Sequence, residues 1–140
     1  MTNNKYEELV PGRIFIGGID AIDDLLQKEK IDVIYDLRAE VKGPLASEIS
    51  VHTPIVDEAE NQDESIKVAV KSVMDAYESG QNVYFHCNTG RGRAGTIAAA
   101  TLLELNLAHS VEEAEQKATD IRSQIKIRPQ FKDALKRIYE

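Results

Sequence analysis

Residues 82–106, NVYFHCNTGRGRAGTIAAATLLELN, constrain the fold more than any other stretch. NVYFHC is β-branched and aromatic and carries no acid, lysine or arginine, which reads as a buried strand. Gly90 and Gly92 break it, and RAGTIAAATLLELN (93–106) continues as an apolar helix. A strand that turns directly into a helix, both buried, calls for a sheet with helices packed on it. The rest of the chain alternates in the same way. RIFIG (13–17) reads as a short strand. DAIDDLLQKEK (20–30) reads as a helix, with Asp20 as N-cap and Leu25 and Leu26 facing inward. IDVIYDL (31–37) is a buried strand, and ISVHTPI (49–55) is another that Pro54 keeps to an edge or ends. The acidic stretch 57–64 reads as a loop. SIKVAVKSVMDAYESG (65–80) has helical spacing and stops at Gly80. Ser110 and Glu113 form a capping box that opens a helix over about 111–123. Pro129 starts a last helix, PQFKDALKRIY. The expected class is α/β: a central twisted, mostly parallel sheet flanked by helices.

The 140 residues suit one domain, 1–140, with a real core. The net charge of −7 and pI near 5.0 argue against nucleic-acid or anionic-membrane binding. The first residues, MTNNKYEELVPG, lack the apolar core of a signal peptide, and no apolar run reaches a membrane span or anchor. One cysteine excludes an internal disulfide and clustered-cysteine zinc sites, and suits a reducing cytoplasm. His52, His86 and His109 show no ligand spacing, so neither a metal nor another cofactor is expected. Charge is uneven: DEAENQDE (57–64) is acidic, while residues 122–137 hold Arg122, Lys126, Arg128, Lys132, Lys136 and Arg137 against Asp133 alone. Both stretches read as solvated surface.

The segment HCNTGRGRAGT (86–96) carries the chemistry. A glycine-rich turn at a helix N-terminus gathers backbone N–H groups into one concavity, and the helix dipole adds positive potential. Such a loop takes a phosphate-sized anion and favours the thiolate of a cysteine at its start. Five residues separate Cys87 from Arg93, so a loop wrapped around the anion brings both to it. A thiolate can attack phosphorus, and a guanidinium can pair with two of its oxygens. Thr96, one turn into the helix, can reach back to the sulfur. The alternatives are a packing cysteine, a nucleotide loop or a metal site. The stretch matches neither G-x-x-x-x-G-K-[ST] nor G-x-G-x-x-G.

HCNTGRGRAGT resembles the H-C-x-x-G-x-x-R-[AST]-G-[ST] signature of cysteine-dependent protein tyrosine phosphatases. GRIFIGG, IDVIYDL, HTPIVD and IRPQFKDAL fall in the order used by its small dual-specificity branch, over roughly residues 10–138. The resemblance implies a two-step reaction through a phosphocysteine. Cys87 would be the nucleophile and Arg93 the clamp. The amides of Asn88, Thr89, Gly90, Arg91, Gly92 and Arg93 would form the cradle. Thr96 would assist the second step, and His86 would support the thiolate. The general acid of the family lies about 30 residues before the cysteine. Asp57 stands 30 residues before Cys87, Asp63 is its rival at 24, and Glu58 and Glu60 are weaker candidates. Crowded acids there would raise a carboxyl pKa toward neutral pH.

Phosphoinositide phosphatases that resemble this family place lysines at the positions of Asn88 and Arg91; here only Arg91 is basic. A chain of this length also lacks the extra loops that deepen a phosphotyrosine pocket. The expected partner is therefore a phosphorylated protein, with phosphotyrosine first and phosphoserine or phosphothreonine next, or a small phosphomonoester. The alternatives are inositol phosphates or phosphoinositides, and a non-catalytic phosphate-binding module. Arg38 and Gln130 are read as structural or surface residues.

Overall fold

The computed structural model describes residues 5–41, 45–56 and 61–140. Five strands form one sheet: β1 (Tyr6–Val10), β2 (Ile14–Gly17), β3 (Val33–Arg38), β4 (Ser50–Ile55) and β5 (Val83–His86), in the spatial order β1-β2-β5-β3-β4. β2, β5, β3 and β4 run parallel, and β1 joins β2 antiparallel. Pro54 sits on β4 at the sheet edge, where a missing N–H is tolerated. β1 has no counterpart among the strands expected from sequence, because YEELV carries two acids and only a weak alternation.

The helices are α1 (Ile22–Lys28), α2 (Asp63–Glu78), α3 (Arg93–Glu104), α4 (Val111–Ile121) and α5 (Pro129–Tyr139). Two sequence expectations need correction. Asp20 lies inside a 3₁₀ turn, Ile19–Ala21, rather than capping α1, whose N-cap is Ala21. Leu26 is 39% exposed, so only Leu25 of that pair enters the core. A helix of seven residues buries a narrow stripe, here Ile22 and Leu25 three positions apart. The acidic stretch also ends earlier than expected, since Asp63 and Glu64 form the first turn of α2. The capping box is realised in part. Ser110 Oγ accepts from the Glu113 amide at 3.1 Å, while the Glu113 carboxylate accepts from the His109 amide.

Side chains of β5 alternate across the sheet. Val83, Phe85 and Cys87 enter the large core beneath α2, α3, α4 and α5, and Tyr84 enters a smaller core with Phe15, Ile34 and Leu25. Helix α3 runs through the large core with every residue from Arg93 to Leu102 buried. Gly95 makes this possible: a Cβ there would meet Ile125 Cγ2 at 2.6 Å. The sheet and α3 are thus fixed by burial on all sides, and the loop between them is held at both ends.

Candidate active site

Residues 87–92 connect β5 to α3. Their six carbonyls all have partners outside the loop's concavity. Cys87 O accepts from His86 Nδ1 at 3.0 Å, and Asn88 O accepts from the Ile19 amide at 3.2 Å. Thr89 O and Gly90 O accept from Arg122, through NH2 at 3.1 Å and Nε at 3.0 Å. Arg91 O accepts from the Lys126 amide, and Gly92 O from the amide and hydroxyl of Thr96. Among the described residues all peptide bonds are trans. In a trans peptide the N–H points opposite to the C=O. Carbonyls turned outward at 87–92 therefore turn the amides of 88–93 inward, toward one point at the N-terminus of α3. Such a nest attracts an anion.

Gly90 is required at the tightest point. Its φ of +72° suits glycine, and a Cβ would meet the Gly17 carbonyl group at 2.6 Å. Cys87 and Arg93 flank a small cavity of ≈ 270 Å³ with Glu40, Asn88, Thr89 and Gly92. The Arg93 side chain is 5% exposed and forms a two-pronged ion pair with Glu40, NH1 to Oε1 at 2.7 Å and NH2 to Oε2 at 3.0 Å. NH1 also donates to Ile55 O at 3.3 Å. The Arg93 guanidinium pulls the Glu40 carboxyl down to about 2, against a smaller opposing push from burial. Glu40 is therefore ionised throughout the neutral range, and it aligns the guanidinium at the cavity floor. Glu40→Gln keeps the shape and removes that alignment. It should lower kcat/KM for an aryl phosphate by about tenfold; an increase would mean that Glu40 competes with the phosphate instead.

The sequence-derived candidates fare differently. Cys87 and Arg93 line one cavity with Asn88, Thr89 and Gly92. Thr96 is fully buried one turn below Cys87, but its hydroxyl donates to Gly92 O at 2.8 Å. Reaching the sulfur would require that bond to open. Asp57, Glu58 and Glu60 lie outside the described residues. They follow Ile55, whose carbonyl is bonded to Arg93. Asp63 caps no site: Arg137 binds both its oxygens, at 2.9 and 2.7 Å, and holds its carboxyl below the usual range. An acid so paired is a poor proton donor near neutrality. Arg38 pairs with Asp36, and Gln130 lies in the first turn of α5.

Arg122, expected on a solvated basic surface, is 5% exposed, with its guanidinium bonded to the loop carbonyls, Lys5 O and Glu7. Glu40 and Arg122 are the contributors that the sequence reading missed. Glu40 had one available signal, its place just beyond the carboxyl end of a parallel strand, where α/β sheets build sites. Arg122 had none, because the loop it holds lies 32 residues away.

Three buried or paired groups share one pH sign. Burial lowers the His86 pKa, with Arg38 assisting, against the opposing effects of the Cys87 carbonyl and Asp36. Burial raises the Asp36 carboxyl, but the Arg38 bonds and His86 bring it below its ordinary value. Glu40 is lowered to about 2. A folded pKa below the unfolded one gives stability that is lost on acidification. The melting temperature should therefore be level from about pH 7 to about pH 9, below the titration of the tyrosines. It should begin to fall below about pH 6.5 as His86 titrates in the unfolded chain, and fall further below about pH 4.5. A melting curve flat from pH 7 to 4 would contradict this.

The fold is that of the dual-specificity phosphatases. It superposes on the crystal structure of PTPMT1 in complex with PI(5)P with a TM-score of 0.80 and 23% identity, covering 96% of this chain and 94% of that one. The crystal structure of human DUSP28 gives 0.81 and 18%, covering 99% and 95%. Residues 34–135 match the family described as Swiss Army Knife protein, DSP-PTPase phosphatase domain, and the chain belongs to that family of phosphatases. It is similar to the human phosphatidylglycerophosphatase and protein-tyrosine phosphatase 1, 39% identical over 82 residues, which are 58% of this chain and 38% of the relative. The rat protein of that name is 43% identical over 65 residues, 46% of this chain and 33% of the relative. The chain thus spans well under half the length of these curated relatives. Among the described residues, no helix is long and apolar enough to cross a membrane.

Proposed function

We propose that this chain hydrolyses phosphomonoesters through a phosphocysteine, and that its preferred phosphate is carried on a small polyol or lipid headgroup. In the first step the Cys87 thiolate forms an S–P bond while the P–O bond to the leaving group breaks. Arg93 and the amides of 88–93 hold the three remaining oxygens, and Asp57 protonates the departing oxygen. In the second step water attacks phosphorus, Asp57 takes its proton, and the S–P bond breaks to restore the thiolate and release inorganic phosphate. Thr96 assists that release once its bond to Gly92 O opens.

One observation carries the choice of substrate: the lining of the clefts beside the loop. A cleft of ≈ 930 Å³ shares Asn88 and Thr89 with the Cys87 cavity and adds Lys5, Arg91 and Arg122 beside Glu7, the partner of Arg122, and Asp20. A second of ≈ 300 Å³ is lined by Arg91, Lys126 and Arg128. No aromatic side chain lines either cleft among the described residues. Polar walls that carry Lys5, Arg91, Lys126 and Arg128 among a few apolar residues suit a hydroxylated or anionic headgroup, whereas a phosphotyrosyl ring gains most from an aromatic wall. The name of the human relative, phosphatidylglycerophosphatase and protein-tyrosine phosphatase 1, spans both readings. The net charge of −7 favours the second reading, a phosphotyrosine protein, because an acidic protein is repelled by an anionic bilayer.

The test has two arms. Rapid acid quench with excess aryl phosphate, followed by mass spectrometry, should find a phosphoryl group on Cys87, accumulating further in Asp57→Asn if water attack is slowed more than transfer. No adduct in any variant would sink the mechanism. Metal-free rates are then compared for soluble glycerol and inositol phosphates, phosphatidylglycerophosphate vesicles and phosphotyrosine peptides. A higher kcat/KM for the peptides would replace the headgroup reading with the protein one.

A further inference from the structure

Asp36 is 0% exposed in the middle of the sheet. Burying a carboxylate is costly unless it is paired and fully hydrogen-bonded. Here every bond to it comes from Arg38: the amide and Nε to Oδ1, both at 3.0 Å, and NH2 to Oδ2 at 2.8 Å. A buried ion pair of this kind contributes little that apolar residues could not replace. Its location needs another reason, and the sheet register supplies one. Asp36 of β3 lies directly opposite His86 of β5, and parallel partners share a face. The Asp36 Oδ2 is 4.0 Å from His86 Nε2.

The protonation of His86 follows from its other nitrogen. Nδ1 is 3.0 Å from Cys87 O, which can only accept, so Nδ1 carries the hydrogen. Nε2 is buried without a hydrogen-bond partner among the described residues. If bare, it aims a lone pair at a carboxylate; if protonated, it aims an N–H at a counter-ion. The Tyr84 ring stacks on the imidazole, with centroids 5.7 Å apart and 22° between planes, which fixes the ring plane. Asp36, Arg38, Tyr84 and Cys87 are the titratable or charged groups that face the ring.

We propose that Asp36, held by Arg38, is a positioning residue that fixes the orientation and proton affinity of His86, which in turn holds the Cys87 carbonyl where β5 becomes the phosphate loop. This rests on Cys87 being the nucleophile. The carbonyl of Cys87 is the first of the six turned outward, and its orientation sets the first inward amide, that of Asn88. A loosened imidazole would let that peptide turn and misplace both the sulfur and the first cradle donor.

The test combines nitrogen-15 spectra of the histidines with kinetics. In the wild type, His86 should show the Nδ1–H tautomer, which is the minor one in water. Asp36→Asn removes the charge and keeps the shape. The His86 titration midpoint should then fall by about one pH unit or more, because an opposite charge is lost and Arg38 is left uncompensated. At pH 6 kcat should fall about tenfold with KM within about twofold. If Asp36→Asn does not fold, the double variant Asp36→Leu, Arg38→Leu serves. It should show His86 spectra broadened by ring mobility, with the same loss of kcat. An Nε2–H tautomer in the wild type would overturn the proposal. So would a folded variant with unmoved His86 spectra, or an unchanged kcat. A shifted His86 spectrum in a protein that forms no phosphocysteine would instead overturn the catalytic reading and leave the Asp36–His86 coupling standing.

Discussion

Cys87→Ser should yield a folded protein whose phosphomonoesterase turnover is lower by at least about 10⁴-fold. The change replaces one sulfur by one oxygen at a side chain that is 3% exposed, so the surrounding core has nothing to rearrange. A buried hydroxyl in place of the thiol costs roughly 1–3 kcal/mol at most, which a domain of this size withstands. Chemistry is lost for a separate reason. A serine hydroxyl stays protonated where a thiolate can form, and the described site holds no base placed to activate it. Glu40 is engaged by Arg93, and His86 Nδ1–H points to the Cys87 carbonyl. The cradle itself does not depend on the sulfur, since its amides are aimed by carbonyl contacts to Ile19, Arg122, Lys126 and Thr96. Binding of inorganic phosphate, measured by calorimetry, should therefore survive. Turnover by the serine variant near the wild-type rate would mean that the chemistry lies elsewhere.

Arg122→Met should be the most damaging change outside the loop. It preserves the length of the buried stem and removes five donors. Thr89 O and Gly90 O lose their partners, and Glu7 loses its counter-ion. Removing one partner of a buried pair costs about 3–5 kcal/mol, a large part of the stability of one domain. The effect on activity is distinct from the effect on stability. With two adjacent carbonyls free to turn, the Gly90 and Arg91 amides no longer face the anion. Loss of such donors costs about 10²- to 10³-fold in kcat. Urea unfolding and kinetics at a temperature where the variant is fully folded separate the two effects. Full activity in the folded variant would show that the loop holds its shape without the arginine. Restoring a compact cation with Arg122→Lys should recover stability better than rate, because one ammonium cannot span two carbonyls in the arginine's fork geometry.

The α/β class, the mostly parallel sheet and the helices α2 to α5 were legible because their apolar periodicity is strong, and Ser110 and Pro129 mark the starts of α4 and α5. β1 was not: two acids in five residues hide a strand that pairs with β2 and buries only Tyr6 and Leu9. The short α1 was placed two residues early, because Asp20 looks like a cap and serves a 3₁₀ turn instead.

Local sequence determined that Cys87 begins the loop between β5 and α3 and that Arg93 closes it, since strand, glycine turn and helix are contiguous and their geometry is set by neighbours within ten residues. Only the tertiary structure decided how that loop is held open. Arg122, Glu40, Asp36 and Ile19 come from elements 32, 53, 50 and 69 residues from their partners Gly90, Arg93, His86 and Asn88. No periodicity or spacing encodes such contacts. They exist because burying α3 on all sides draws the ends of β3 and β4 and the segment after α4 to the same point, where a buried polar group without a partner is costly.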